Sequence, residues 1–565
     1  MDKFSQLKYV RPDMEAARQE TRAWIQALKT AGSYEEMRDL FLEQKEREYL
    51  RSTMETIARI RNTADTGDEF YDKEMEYLNR EEPSLRLLCQ EAEKVILESP
   101  YGEKWKNEFG PHFMKAMEVS QKLSDPAIVE DLVKESSLTQ EYSRVTASAS
   151  VQFRGETCNF YGLLKHMQSR DRQERKEAMR AWGDLYEKIA PELDRIYDAM
   201  VTLRDGMARK LGFDSYIDFI YLSRGRYDYG PRDVAGFRRQ VREEIVPLCQ
   251  KLREDQAVRL GVEKLRYYDE ALIFPEGNAV PQGDRETLVK KARKMYRELS
   301  PETGEFFDFM VEHDMFDLDT RKGKRGGGYC TFLADYRSPF IFANFNGTSA
   351  DVNVLTHEAG HGFEVYTAAR NIPLLDMVFP SYEAAEIHSM TMEFFTHPWM
   401  ELFFGDQADR YRYSHVMESL EAVPYMVCVD EFQHRVFEDP SMTAAGRRKV
   451  WRELERIYLP WRDYDGHKFL EEGGFWMQKQ HIFLFPFYYI DYALAQMGAF
   501  EFYGHMKKDR DQAWKDYYRL CRAGGSRGYF ELLELAGLGN PFAEGTVKNA
   551  VAALKDKLFP AAEVR

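Results

Sequence analysis

Thr356-His357-Glu358-Ala359-Gly360-His361 is a His-Glu-x-x-His run in a chain of 565 residues. On a helix, residues four apart share a face, so His357 and His361 can aim their ring nitrogens at one point. Two neutral imidazoles and a carboxylate suit a four-coordinate zinc ion with one position left for water. Glu358 stands between the histidines, close enough to take a proton from that water. In a chain with 12 histidines the spacing also arises by chance, in roughly a few per cent of sequences. A third ligand is therefore required.

The rest of the chain narrows the partners. A length of 565 residues exceeds one ordinary core and predicts two or more subdomains with room for a buried cleft. Hydrophobic residues at 44% and charged residues at 31% are those of a globular protein, and an aromatic share of 14% predicts aromatic-lined interior surfaces. The formal charge of −16 argues against a nucleic-acid partner, which needs a basic face. Cys89, Cys158, Cys249, Cys330, Cys428 and Cys521 have no paired spacing and read as reduced structural thiols. The first residues hold no apolar run, so no signal peptide is expected. No later stretch reaches the ~18 apolar residues of a membrane span, and the expectation is a cytoplasmic protein.

Residues 13–138 recur in apolar character at helical spacing, as in Trp24 with Leu28 and Met54 with Ile57 and Ile60, and predict packed amphipathic helices without a catalytic constellation. The alternating run Val145 to Phe153 predicts a short strand or hairpin ending at Gly155. Helices then resume: Arg175 to Ala190 reads as one helix, Pro191 as the first turn of the next, and Gly212 as that helix's C-terminal stop. Gly326-Gly327-Gly328-Tyr329-Cys330-Thr331-Phe332-Leu333 and Phe340-Ile341-Phe342-Ala343-Asn344-Phe345-Asn346-Gly347-Thr348 read as two strands of a small sheet. An edge strand just before the motif helix could pair with the backbone of an extended peptide.

The motif helix is expected over about 353–370, stopped by Asn371-Ile372-Pro373, and a second helix over 382–395. If the two pack together, a carboxylate of the second can meet the histidines of the first. Periodicity does not choose among Glu383, Glu386 and Glu393.

His357-Glu358-x-x-His361 followed by Ala385-Glu386-Ile387, with a Glu twenty-five residues beyond the second His, resembles the thimet oligopeptidase and oligoendopeptidase F family of zinc peptidases. The resemblance runs by scattered elements from about Tyr216 to Phe542 and includes Gly524-Gly525-Ser526 and Asn540-Pro541-Phe542. It implies Glu386 as third ligand of one Zn2+ per chain, with Glu393 one heptad later bonding a zinc-binding His. Ile387-His388-Ser389 keeps the Ser but departs from the family's Pro-Ser or Ala-Ser pair; a packed or solvent-facing His388 is expected over a fourth ligand, which would close the open position. The run Gln480 to Tyr492 resembles the His and Tyr elements such peptidases place opposite the metal. Tyr492 is the first choice for stabilising the oxyanion, with His481 and Tyr489 holding substrate backbone, while Phe483, Phe485 and Phe487 read as core.

The fold implied is mainly α, a two-lobed helical metallopeptidase with a deep substrate channel and a small sheet beside the zinc-binding helix. A helical N-terminal lobe over 1–155 and a catalytic domain over 156–565 are expected, with the lobes interleaved. The activity implied is a metalloendopeptidase acting on oligopeptides, as monomer or homo-oligomer. Two readings compete. A related zinc carboxypeptidase or dipeptidase needs a charged group to capture a terminus, for which Arg337 is the weak candidate. A helical peptide-binding protein with a vestigial metal site is disfavoured by the presence of Glu358.

Overall fold

Helices dominate because the sequence supplies apolar stripes with polar caps. Met14–Thr30, Tyr34–Ala64 and Glu69–Leu97 start at Asp13, Ser33 and Asp68, whose side chains each accept a hydrogen bond from a first-turn backbone N–H. The computed structural model describes residues 1–560. The strands are β1 (Val151–Phe153), β2 (Glu156–Cys158), β3 (Phe316–Asp319), β4 (Tyr329–Leu333) and β5 (Ser338–Phe345). The helices that matter below are α1 (Phe160–His166), α2 (Arg172–Lys210), α3 (Ser349–Asn371), α4 (Tyr382–Phe395), α5 (Tyr489–Lys508) and α6 (Arg510–Ala523). The mainly helical class with small sheets agrees with the sequence reading.

The chain divides into two compact units. The first comprises Met1–Asp125, Val280–Ala408 and His505–Leu538; the second comprises Pro126–Ala279, Asp409–Gly504 and Gly539–Arg565. In the first unit the N-terminal helices share one core with the motif helix: Trp24, Phe41, Trp105 and Phe113 join Val365, Ala368 and Ala369 of α3. Edge-on aromatic pairs such as Phe41 with Trp105, centroids 5.3 Å apart, fill it.

The three-stranded sheet of that unit has the order β3-β5-β4, with β3 parallel and β4 antiparallel to β5. Residues such as Phe340, Ile341, Phe342 and Ala343 are buried on both faces of β5, which accounts for the unbroken apolar run. The strand directly before α3 is thus the middle one, and the edge strands are β3 and β4, of which β4 follows the glycines. The sequence reading did not anticipate β3. Among the described residues no helix is long and apolar enough to cross a membrane.

Two local expectations are corrected. The helix Val129–Ser148 continues through Val145 and Thr146, and the Thr146 and Ser148 hydroxyls bond back to the Tyr142 and Val145 carbonyls. Strand structure begins only at Val151, and Arg154 and Gly155, at φ 48° and 89°, turn β1 into β2. Pro191 lies inside α2 and does not start a new helix. Burial of Trp182, Leu193, Ile196 and Tyr197 on either side outweighs the ~3 kcal/mol that an interior proline costs. Gly212, at φ 83°, follows the end of α2, as expected. All six cysteines are free, and burial pushes the Cys330 and Cys428 thiols well above their usual range.

Candidate metal centre and active-site residues

Helix α3 begins where Asp351 accepts hydrogen bonds from the backbone N–H groups of Asn346 and Gly347 at 2.9 and 2.7 Å. This fixes the angle at which the chain leaves β5. Two turns later it carries His357, Glu358 and His361. Helix α4 crosses α3 at Gly360, where an added Cβ would lie 2.7 Å from Ser389 Cα and 2.8 Å from the His388 carbonyl oxygen. Only glycine allows this approach, and the approach is what brings a carboxylate of α4 onto the histidines.

That carboxylate belongs to Glu386. Its Oε2 lies 3.3 Å from Nε2 of His357 and 3.3 Å from Nε2 of His361. Two ligands at 2.0–2.1 Å from one ion at a tetrahedral angle sit about 3.3 Å apart, so the three donors are spaced as ligands of a single zinc-sized ion. Ser389 donates to the same Oε2 at 2.9 Å, which orients the carboxylate. Glu393, seven residues on, has Oε1 2.7 Å from Nδ1 of His357. This fixes the ring with Nε2 toward Glu386. Glu383 is buried but lies outside the converging set of His357, His361 and Glu386.

The electrostatics follow from burial. Burial works against charge on His357, but its bonds to Glu386 and Glu393 outweigh that and hold the imidazole well above its ordinary pKa. Burial raises Glu386, and the two histidines overcome it, holding the carboxyl well below its usual range. A pair of imidazoles so dominated by carboxylates is a site that attracts positive charge.

Glu358 is 7% exposed. Burial pushes its carboxyl up, against the pull of His357 and His361, and its Oε2 is buried with no hydrogen-bond partner. A Cβ on Gly328 would lie 3.3 Å from Glu358 Oε1, so the glycine stretch before β4 passes directly over this carboxylate. The arrangement leaves a basic group with an unused lone pair beside a cation site. His388 is fully buried among α4 and α6; burial lowers it to about 3, so it is neutral. Its carbonyl accepts from the Tyr517 hydroxyl at 2.9 Å, and the ring is packed, as expected.

The aromatic run lies in the second unit. His481 sits 4.8 Å from Tyr489, ring centre to ring centre, and Tyr489 sits 5.6 Å from Tyr492. Tyr488 joins the group, 4.9 Å from Tyr492. All four rings are half-buried. Between them Phe487 takes a left-handed backbone, φ 61°, held by Arg226, which donates to its carbonyl, and by Gln433, which accepts from its N–H at 2.8 Å. Arg226 also pairs with Asp491 at 2.7 Å, both side chains wholly buried. Phe483 and Phe487 are core residues as expected, whereas Phe485 is 43% exposed. It follows a single helical turn, Gln480–Leu484, and its ring lies 5.9 Å from that of His481, centre to centre. Arg337, the candidate for terminus capture, occupies the turn before β5 and donates to the Ala369 carbonyl at 3.1 Å.

Residues 4–124 match the Peptidase M3 N-terminal domain, and residues 165–274 and 303–551 match Peptidase family M3. The chain belongs to peptidase family M3. Within that family it stands on the oligoendopeptidase F branch. A solved structure of a PZ peptidase A with an inhibitor is 43% identical, with a TM-score of 0.95, over 99% of this chain and all of the other. A structure described as an oligoendopeptidase F is 46% identical over the whole of this chain and 99% of the other, at a TM-score of 0.95. Oligopeptidase PepF of Bacillus subtilis is 22% identical over 527 residues, 86% of this M3 chain and 74% of that protein. The match to an oligoendopeptidase F homolog of Lactococcus lactis spans 66% of this M3 chain and 61% of that protein's length.

Proximity in sequence revealed the histidines. Helical periodicity gave no signal for the close approach at Gly360 or for the Ser389 bond to Glu386.

Proposed function

We propose that the chain is a zinc-dependent endopeptidase that hydrolyses internal bonds of short peptides, with His357, His361 and Glu386 as metal ligands. What carries the reading is the convergence of two imidazole nitrogens on one Glu386 oxygen, each at 3.3 Å, beside a buried Glu358 with an unpartnered oxygen. Zinc, when bound there, supplies a Lewis acid that polarises a carbonyl and acidifies water to a pKa of about 7.

The chain's own groups do the rest. Glu358 accepts a proton from the attacking water at its free carboxylate oxygen and delivers it to the departing amine. Glu393 holds His357 in the tautomer with a free Nε2. The outer edge of β4 offers backbone N–H and C=O groups to an extended peptide, a sequence-tolerant grip. Tyr492 is assigned to the oxyanion and His481 and Tyr489 to the substrate backbone, on the family resemblance. The division of labour between residues 1–155 and a catalytic region 156–565 belongs to the same proposal. The use of Arg337 on the Ala369 carbonyl weighs against capture of a peptide terminus there.

The test is a ladder of peptides of increasing length followed by mass spectrometry, with bound metal measured alongside. Internal cuts with a length cutoff and about one zinc per chain are expected. Removal of single residues from one end would replace this reading with an exopeptidase.

A further inference from the structure

A second group of metal-ligating side chains lies in the second unit, on residues that the proposed peptidase chemistry does not use. Ligand atoms of Glu156, Cys158 and His166 all lie within 4.8 Å of one another. Glu156 and Cys158 are the first and last residues of β2 and, two apart on a strand, face the same way. His166 ends α1. The chain between them turns at Asn159, whose side chain accepts from the Gly162 N–H at 2.9 Å. A Cβ on Gly162 would lie 3.4 Å from Cys158 Sγ, so this glycine keeps the helix from crowding the thiol.

The three residues line a cavity of ≈ 690 Å³ together with Ser148, Ser169 and Glu174. The imidazole is already oriented: Glu174 Oε1 lies 2.6 Å from Nδ1 of His166, and Ser169 donates to the other Glu174 oxygen at 2.8 Å. A carboxylate bonded to one ring nitrogen is the outer partner that metal-binding histidines commonly have.

We propose that Glu156, Cys158 and His166 form a second zinc site that ties the β1–β2 hairpin to α1. A thiolate with an imidazole and a carboxylate selects zinc over magnesium or calcium, which prefer oxygen throughout. Ligands of one zinc ion sit about 3.3–3.6 Å apart. Glu156 is exposed, and its side chain has the freedom to close the remaining distance.

The experiment uses the full-length protein carrying Glu386→Ala, which removes a ligand of the other centre, stripped of metal and reloaded with Co2+. It reads no peptide cleavage and so stands or falls apart from the peptidase reading. Expected are about one ion per chain and near-ultraviolet thiolate-to-cobalt absorption. Cys158→Ser and His166→Asn, each added singly, should abolish both. Absence of the absorption in the Glu386→Ala protein overturns the site, as does its survival in either added variant. If the buried Cys158 does not tolerate serine and that protein fails to fold, His166→Asn, at a half-exposed position, decides the question alone.

Discussion

The motif region and the aromatic run reach their geometry by different means. Around His357 the side chains are set by backbone meeting backbone, with α4 pressed against Gly360 and Ser389 and Glu393 steadying the donors. Around Tyr489 the rings touch one another, but the backbone beneath them is set by Arg226 and Asp491, a buried ion pair 265 residues apart in the chain. The first arrangement is local and stiff. The second depends on a partnership that helical periodicity does not encode.

The comparison can be broken at its strongest point first. Glu358→Gln should keep stoichiometric metal and lose up to ~10⁴-fold in turnover, the upper range for a general base; metal analysis beside a peptide assay reads both, and near-normal cleavage would remove Glu358 from the role. Glu386→Ala should lose most of its zinc, since two histidines alone make an incomplete site. Unchanged metal content would pass the ligand role to Glu383 or Glu393. Tyr492→Phe should lower kcat by about a hundredfold with metal intact, the scale of one lost oxyanion donor; a rate within a few-fold of the parent would hand the role to Tyr489 or His481.

The smallest effect sharpens the second region. Asp491 is buried, and burial, partly offset by Arg226, raises its carboxyl to about 6. The folded protein therefore holds this proton more tightly than the unfolded chain. Its contribution is fully present below the unfolded value, near pH 4, and is lost as pH rises through about 6. Asp491→Asn should flatten that decline in thermal stability while lowering stability at neutral pH by ~3–5 kcal/mol, the cost of stranding a buried partner. An unchanged slope would show that another group titrates.

The sequence made the two histidines and the general position of α4 legible, because helical spacing projects directly into space. It left Glu383, Glu386 and Glu393 open, because choosing among carboxylates requires the crossing point of α3 and α4, and that point is set by a missing side chain at Gly360. The strands β4 and β5 were visible as apolar runs. Strand β3 was not: Phe316-Asp317-Leu318-Asp319 is short and half-charged, and it joins the sheet through parallel pairing with β5. The continuous α2 was missed for the opposite reason, since a local breaker at Pro191 was overruled by burial along the rest of the helix.

The contact at Gly360 bears on how sequences of this kind can drift. The atoms nearest an added Cβ there include Ser389 Cα and the His388 carbonyl oxygen, and neither can rotate aside as a side-chain tip would. No single neighbouring substitution can make room, so the position has no compensating partner elsewhere in the chain. Histidines and carboxylates around it can in principle be exchanged for other donors to suit another metal, but any such exchange must be made with this glycine in place. Gly360, which binds nothing, fixes where the ligand-bearing helices meet.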